Sequence, residues 1–111
     1  MNTSYFANLK NLDQSKAVSI AGKAPEWYVG EEYTTIAPKY WFFKKFKEDG
    51  DKEFYKEQFQ KEVLDLLDPK KVYEYLKDSI LICWERRGKF CHRRLVAEWI
   101  QKNIGVEVLE L

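Results

Sequence analysis

Between Cys83 and Arg93 the sequence gathers two thiols, a carboxylate, three arginines and the only histidine of the chain. These residue types hold anions, move protons or attack electrophiles. Cys83-Trp84-Glu85 closes the apolar run from Ser79 to Trp84, which has the character of a central strand covered on both faces. Arg86-Arg87-Gly88-Lys89-Phe90 is a basic loop, and a helix from about Cys91 to Asn103 follows, ended by Gly105. In open parallel sheets ligands bind outside the carboxyl ends of the strands. The first turn of a helix adds unpaired N–H groups and a partial positive charge. Together they predict an anion site, above all for a phosphate.

A helical wheel sorts the side chains of that helix. Leu95, Val96, Trp99, Ile100 and Ile104 define a buried face. At ~100° per residue, His92 falls in the middle of it and Arg93 on its edge. Arg94 falls opposite, where Glu98 one turn on would pair with it at the surface. His92 and Arg93 are thus expected to point toward the strand end, near Cys83 and Glu85. A purely architectural reading runs beside this one: His92 bonds backbone at the strand end, and Arg93 forms an ion pair with Glu85. Cys83, at the end of a core strand, reads as a small buried apolar residue. Cys91, a thiol at a helix N-terminus beside two arginines, should ionise more readily than a free thiol.

Other chemistries fit less well. Cys83, Cys91 and His92 offer three metal donors, but their spacing matches no standard zinc pattern and no fourth Cys or His exists, so no metal is expected. A phosphatase-like loop would need an arginine where Lys89 stands. No glycine-rich dinucleotide or nucleoside-triphosphate loop occurs, and no cofactor is expected. No serine is placed for a triad with the histidine. Lys44, Lys45 and Lys47 beside Trp41 and Phe46 could stack on nucleic acid, but a net charge of +1 favours a solvated helix face.

The elements that must position the site belong to a chain of 111 residues, 45% hydrophobic and 33% charged, a length and composition that fit one α/β domain spanning 1–111. Strands are predicted at Met1–Phe6, Ala17–Ala21, Ser79–Trp84 and Val106–Leu109. Gly22 to Tyr33 reads as a long loop that carries Trp27 and Tyr28, and large aromatics in a loop indicate that it packs down or covers something. Pro38 begins a helix that runs to about Gly50 and has an unusually wide apolar side, Tyr40 to Phe46, a candidate dimer face. Asp51 caps a second helix, with Tyr55, Phe59, Val63, Leu66 and Leu67 at helical spacing. Asp68-Pro69 starts a third, with Val72, Tyr73 and Leu76 inward. Strand, helix and strand at the C-terminal end form a βαβ unit. The expected fold is a small layered α/β domain with a mostly parallel sheet of about four strands flanked by helices. No apolar run approaches the ~20 residues of a membrane span, and no basic start with an apolar stretch marks a signal peptide. A cytoplasmic protein with reduced thiols is expected.

Cys83-Trp84-Glu85, then Cys91-His92-Arg93, with Ala97-Glu98-Trp99 downstream, resembles the signature of domain of unknown function 488. Thr3-Ser4-Tyr5-Phe6, Ser19-Ile20-Ala21, Pro25-Glu26-Trp27-Tyr28 and Ala37-Pro38 resemble short bacterial and phage-type members in the same order. The resemblance implies a pocket in which Cys83, Glu85, Cys91, His92 and Arg93 act together, and it implies no particular reaction.

The first expectation is therefore a binding protein for a small anionic, nucleotide-derived ligand. Cys83, Cys91, His92 and Arg93 would surround it, Trp27, Tyr28 or Trp84 would stack on a base, and Glu85 would bond a sugar or base edge. By analogy, a phage member of this kind would sequester a host signal. The second is an enzyme on nucleotides or nucleosides, with Glu85 or Cys91 as nucleophile or base and His92 as acid–base partner. The third is an interaction protein that dimerises through residues 40–46. A membrane or nucleic-acid partner is not expected.

Overall fold

The computed structural model describes residues 1–111. Five strands form one sheet: β1 (Asn2–Tyr5), β2 (Ala17–Ser19), β3 (Glu31–Glu32), β4 (Ile80–Cys83) and β5 (Leu109–Glu110). Their order is β3-β2-β4-β1-β5, and every neighbouring pair is parallel. The α/β layered architecture is as the sequence predicts, with one strand more. The fifth strand, β3, lies inside the stretch read as loop. Two exposed glutamates carry no apolar signal, so only backbone pairing of Val18 with Glu31 and Ser19 with Glu32 marks it. The last strand lies further along than expected, at Leu109–Glu110. β4 and β5 are parallel, but β1 stands between them.

Four helices follow the predicted signals. They are α1 (Tyr40–Asp49), α2 (Lys52–Glu62), α3 (Pro69–Leu76) and α4 (His92–Ile104). Asp51 Oδ1 accepts from the Phe54 N–H at 3.0 Å, and Asp68 Oδ1 from the Lys70 N–H at 3.0 Å, each satisfying a first-turn donor. Gly50 (φ 66°) and Gly105 (φ 83°) end α1 and α4 in the left-handed region, which glycine enters without a Cβ clash. α2 is shorter than its apolar spacing suggests. At Val63 the chain leaves helical geometry for a 3-10 turn, Leu64–Leu66, which turns Leu64 into the core and Leu66, expected inward, out to solvent.

Alternation along the strands feeds two apolar clusters. Leu81, Val18 and Ile20 join the helices in the larger one, against Phe42, Phe59, Leu76, Val96 and Ile100. Ile80 and Ile82 pack with Phe6 and Leu9 of a second 3-10 turn, Phe6–Asn11, in the smaller. All four residues of β4 are buried, as a strand covered on both faces requires. α1 turns Phe42 inward and leaves Tyr40 and Trp41 largely exposed. No helix is long and apolar enough to cross a membrane.

Candidate functional site

β4 ends on Cys83, and α4 starts with Cys91 as its extended N-cap residue, so the fold carries the two thiols to one place from either end of a mostly exposed loop. His92, first residue of α4, completes the group. Its Nδ1 lies 3.5 Å from the Cys83 sulfur and 3.8 Å from that of Cys91. Its Nε2 is 2.7 Å from the Ile20 carbonyl oxygen. A carbonyl can only accept, so Nε2 carries a proton and donates it. Nδ1 is then the nitrogen free to take up or release one, and it faces both sulfurs. The ring packs edge-on against Phe59, with centroids 5.6 Å apart. All three residues are buried.

The two thiols are set apart electrostatically. A hydrogen bond from Cys83 holds Cys91 well below the usual thiol range; His92 and the Arg93 charge act in the same direction, against burial. The same bond, reinforced by burial, raises Cys83 well above that range. Burial, then the charge on Cys91 and Cys83, also pushes up the phenol of Tyr55, which belongs to this neighbourhood although the sequence did not single it out. Tyr55 packs against Phe90 and Phe46 at 5.2 and 5.3 Å between ring centroids, in the larger apolar cluster, whereas the two thiols pack in the smaller one with Phe6 and Leu9.

Arg93 is completely buried, 0% exposed. Its partner is Glu110 of β5, not Glu85: Nε and Nη2 donate to Glu110 Oε1 at 3.0 and 2.7 Å. Strand order explains the difference, since β5 is added beside β1 while Glu85 lies beyond the end of β4 on the loop. Glu85 is part-exposed and pairs with Lys47 of α1 at 3.4 Å. The remaining nitrogen of Arg93, Nη1, is buried without a hydrogen-bond partner. Arg94 is not the surface residue the wheel implied. Its long side chain donates to Thr3 Oγ1 at 2.9 Å and lies 3.6 Å from Glu110, and it makes no bond to Glu98. The Thr3 hydroxyl in turn donates to Glu110 Oε2 at 2.5 Å.

The predicted stacking residues gather elsewhere at the same strand ends. Trp27, Tyr28 and Trp84 all make edge contacts with the buried ring of Phe6, at 6.1, 5.4 and 5.2 Å. Trp84 (53%) and Trp27 (62%) stay largely exposed. Trp84 donates its indole N–H to the Lys23 carbonyl at 2.8 Å, which fixes the ring in place. Tyr28 is tied down by its hydroxyl to the Glu31 carbonyl at 2.8 Å.

Of the predicted residues, the fold therefore brings Cys83, Cys91 and His92 into contact, with Arg93 next to them. Trp84, Trp27 and Tyr28 form a separate aromatic shelf, and Glu85 stands apart. Sequence reasoning missed Glu110, Thr3, Tyr55 and the Ile20 carbonyl. None carries a local signal; each is brought in by strand order or helix packing.

A family model described as the active DUF488-N3 subclade, DUF488-N3a, matches residues 5–104. No curated protein and no solved structure matches the chain.

Proposed function

The chain belongs to the DUF488 family, and from that premise we propose that it binds a small anionic, nucleotide-derived ligand where β4 ends and α4 begins. The observation that carries this reading is the buried, unpartnered Nη1 of Arg93. A buried donor left without an acceptor costs about 1–3 kcal/mol, more when charged, so an anionic oxygen reaching it would recover that cost. The start of α4 supports the reading. Its N-cap is Cys91, whose side chain makes no capping bond, and no acidic residue stands in the first turn. Of its first N–H groups that of Arg94 is taken by the Cys91 carbonyl at 3.1 Å, which leaves those of His92 and Arg93 for an anion. The exposed faces of Trp84 and Trp27 offer a base a stacking surface at the same strand ends. Since Glu110 already holds two of the arginine's nitrogens, Arg93 would give the ligand one hydrogen bond and not a bidentate clamp.

The enzymatic reading on nucleotides narrows to Cys91 and His92. The lowered thiol and the free Nδ1 facing it are the arrangement of an activated nucleophile and its acid–base partner. Glu85, held by Lys47 away from the thiols, has no part in it.

A thermal-shift panel of nucleoside mono-, di- and triphosphates and cyclic dinucleotides tests the proposal. One class should raise the melting temperature by several degrees at saturation, because a ligand that binds only the folded state stabilises it. No shift with any member overturns the reading. Recovery of the stabilising nucleotide chemically unchanged separates binding from turnover.

A further inference from the structure

We propose that Cys83, Cys91 and His92 form a zinc site with three protein ligands and an open fourth position. Spacing in the sequence gives no hint of it, because the fold assembles the donors from a strand end and a helix start. The three ligand atoms lie within 4.8 Å of one another. The two nitrogen–sulfur separations, 3.5 and 3.8 Å, are the more telling measure. With metal–sulfur bonds of about 2.3 Å and metal–nitrogen bonds of about 2.0 Å at tetrahedral angles, the nitrogen–sulfur edge is roughly 3.5 Å. Two of the three donor edges therefore already stand at about the spacing a tetrahedral ion needs, and the sulfur–sulfur edge, within 4.8 Å, would close toward roughly 3.8 Å as the ion binds.

The histidine is oriented as metal-bound histidines are. Its outer nitrogen, Nε2, donates to the Ile20 carbonyl at 2.7 Å, which locks the ring and aims the lone pair of Nδ1 at the sulfurs. Thiolate and imidazole are the donors that zinc prefers. The charge also closes at the donors, where two thiolates balance a divalent cation; beside them Arg93 and Arg94 share the one carboxylate of Glu110. On binding, both sulfurs coordinate zinc as thiolates, and any proton still held on a sulfur passes to solvent. The three donors are buried, so the exposed loop Arg86 to Lys89 and the part-exposed Phe90 would have to move to admit the ion.

No side chain completes the set. Glu85 is taken by Lys47, and Glu110 by Arg93, Arg94 and Thr3. Two cysteines and one histidine with a vacant fourth place are the ligand pattern of reactive zinc sites, whereas structural sites use four protein ligands. The role of that vacant place rests on the anion reading above: it would take an oxygen of the ligand. The metal would then supply most of the positive charge that Arg93, engaged by Glu110, cannot.

Titration of the intact protein with Co²⁺, a spectroscopic stand-in for zinc, is the test. One equivalent should produce a near-ultraviolet sulfur-to-cobalt band and the intense visible bands of a four-coordinate ion, and zinc should displace both. Cys83→Ala and Cys91→Ala should each weaken the sulfur band and lower the affinity by more than 100-fold, while Glu85→Gln leaves both unchanged. Absence of a sulfur band in the wild-type protein overturns the site, and so does a full band in either cysteine variant. Should a variant fail to fold, zinc must instead protect both wild-type thiols from iodoacetamide, and no protection overturns the proposal. Inorganic phosphate, added last, should shift the visible bands. An intact sulfur band with visible bands indifferent to phosphate overturns the open position as an anion site and leaves the metal site standing.

Discussion

Two polar clusters meet at the first turn of α4, and they are finished to different degrees. Around Glu110, Arg93 gives two donors, Thr3 gives its hydroxyl, and Arg94 adds a second charge. This cluster is closed on the carboxylate side, and it clamps α4 to β5 and β1. Around His92, the two sulfurs and Nδ1 face one another with only weak bonds between them. The contrast suggests a division of labour: the first cluster holds the helix start in position, and the second is left for chemistry. Arg93 belongs to both, since its charge acts on the thiols while Glu110 fixes its side chain.

That division can be broken on the closed side with the largest effect. Glu110→Ala leaves a fully buried guanidinium without its counter-charge, and removing one partner of such a pair costs about 3–5 kcal/mol. Urea unfolding should show a loss of that order. A loss under about 1 kcal/mol would mean that the cluster does not clamp α4.

The same carboxylate should shape the acid limb of stability, with a smaller effect. Burial alone would raise its pKa, but Arg93, Thr3 and Arg94 together hold it below the ordinary value. The folded state therefore binds this proton less readily than the unfolded chain does. The stabilisation is complete above the unfolded carboxyl value of about 4.3 and is lost as pH falls through the lower folded value. Unfolding measured across this range should show a steeper decline for the wild-type protein than for Glu110→Ala. Equal slopes would remove the carboxylate from the acid response.

The open side should respond least. Cys91→Ala removes a weakly bonded thiol and a single packed sulfur at the edge of the smaller cluster, so the expected loss is about 1 kcal/mol by urea unfolding. A loss as large as that of Glu110→Ala would make the thiols part of the framework and end the comparison.

Much of this arrangement can be read in the sequence. The burial of His92 follows from the helical wheel, and the limits of α1 to α4 follow from Asp51, Asp68-Pro69, Gly50 and Gly105. A helix start at about Cys91 follows from the basic loop and the apolar period after it, and the structure begins the helix one residue on, at His92, with Cys91 as its N-cap. What failed was whatever depends on contacts between distant segments. Glu31–Glu32 became a strand through pairing alone. Arg93 found Glu110 and not Glu85 because β5 joins the sheet beside β1. Arg94 was misplaced because a wheel locates a Cα, whereas a long side chain can run along the helix flank to Thr3.

The strand order has a consequence for how the protein is made. β1 is synthesised before both of its partners, β4 and β5, with Asn2 beside both Ile80 and Leu109. Until β4 leaves the ribosome this inner strand has neither neighbour, and until β5 follows it has only one. Pairing across such sequence distances is slow, because the loop must close before the contacts form. The nascent chain therefore carries an unpaired strand edge while everything between β1 and β4 is made, the state in which chains depend on chaperones to avoid aggregation.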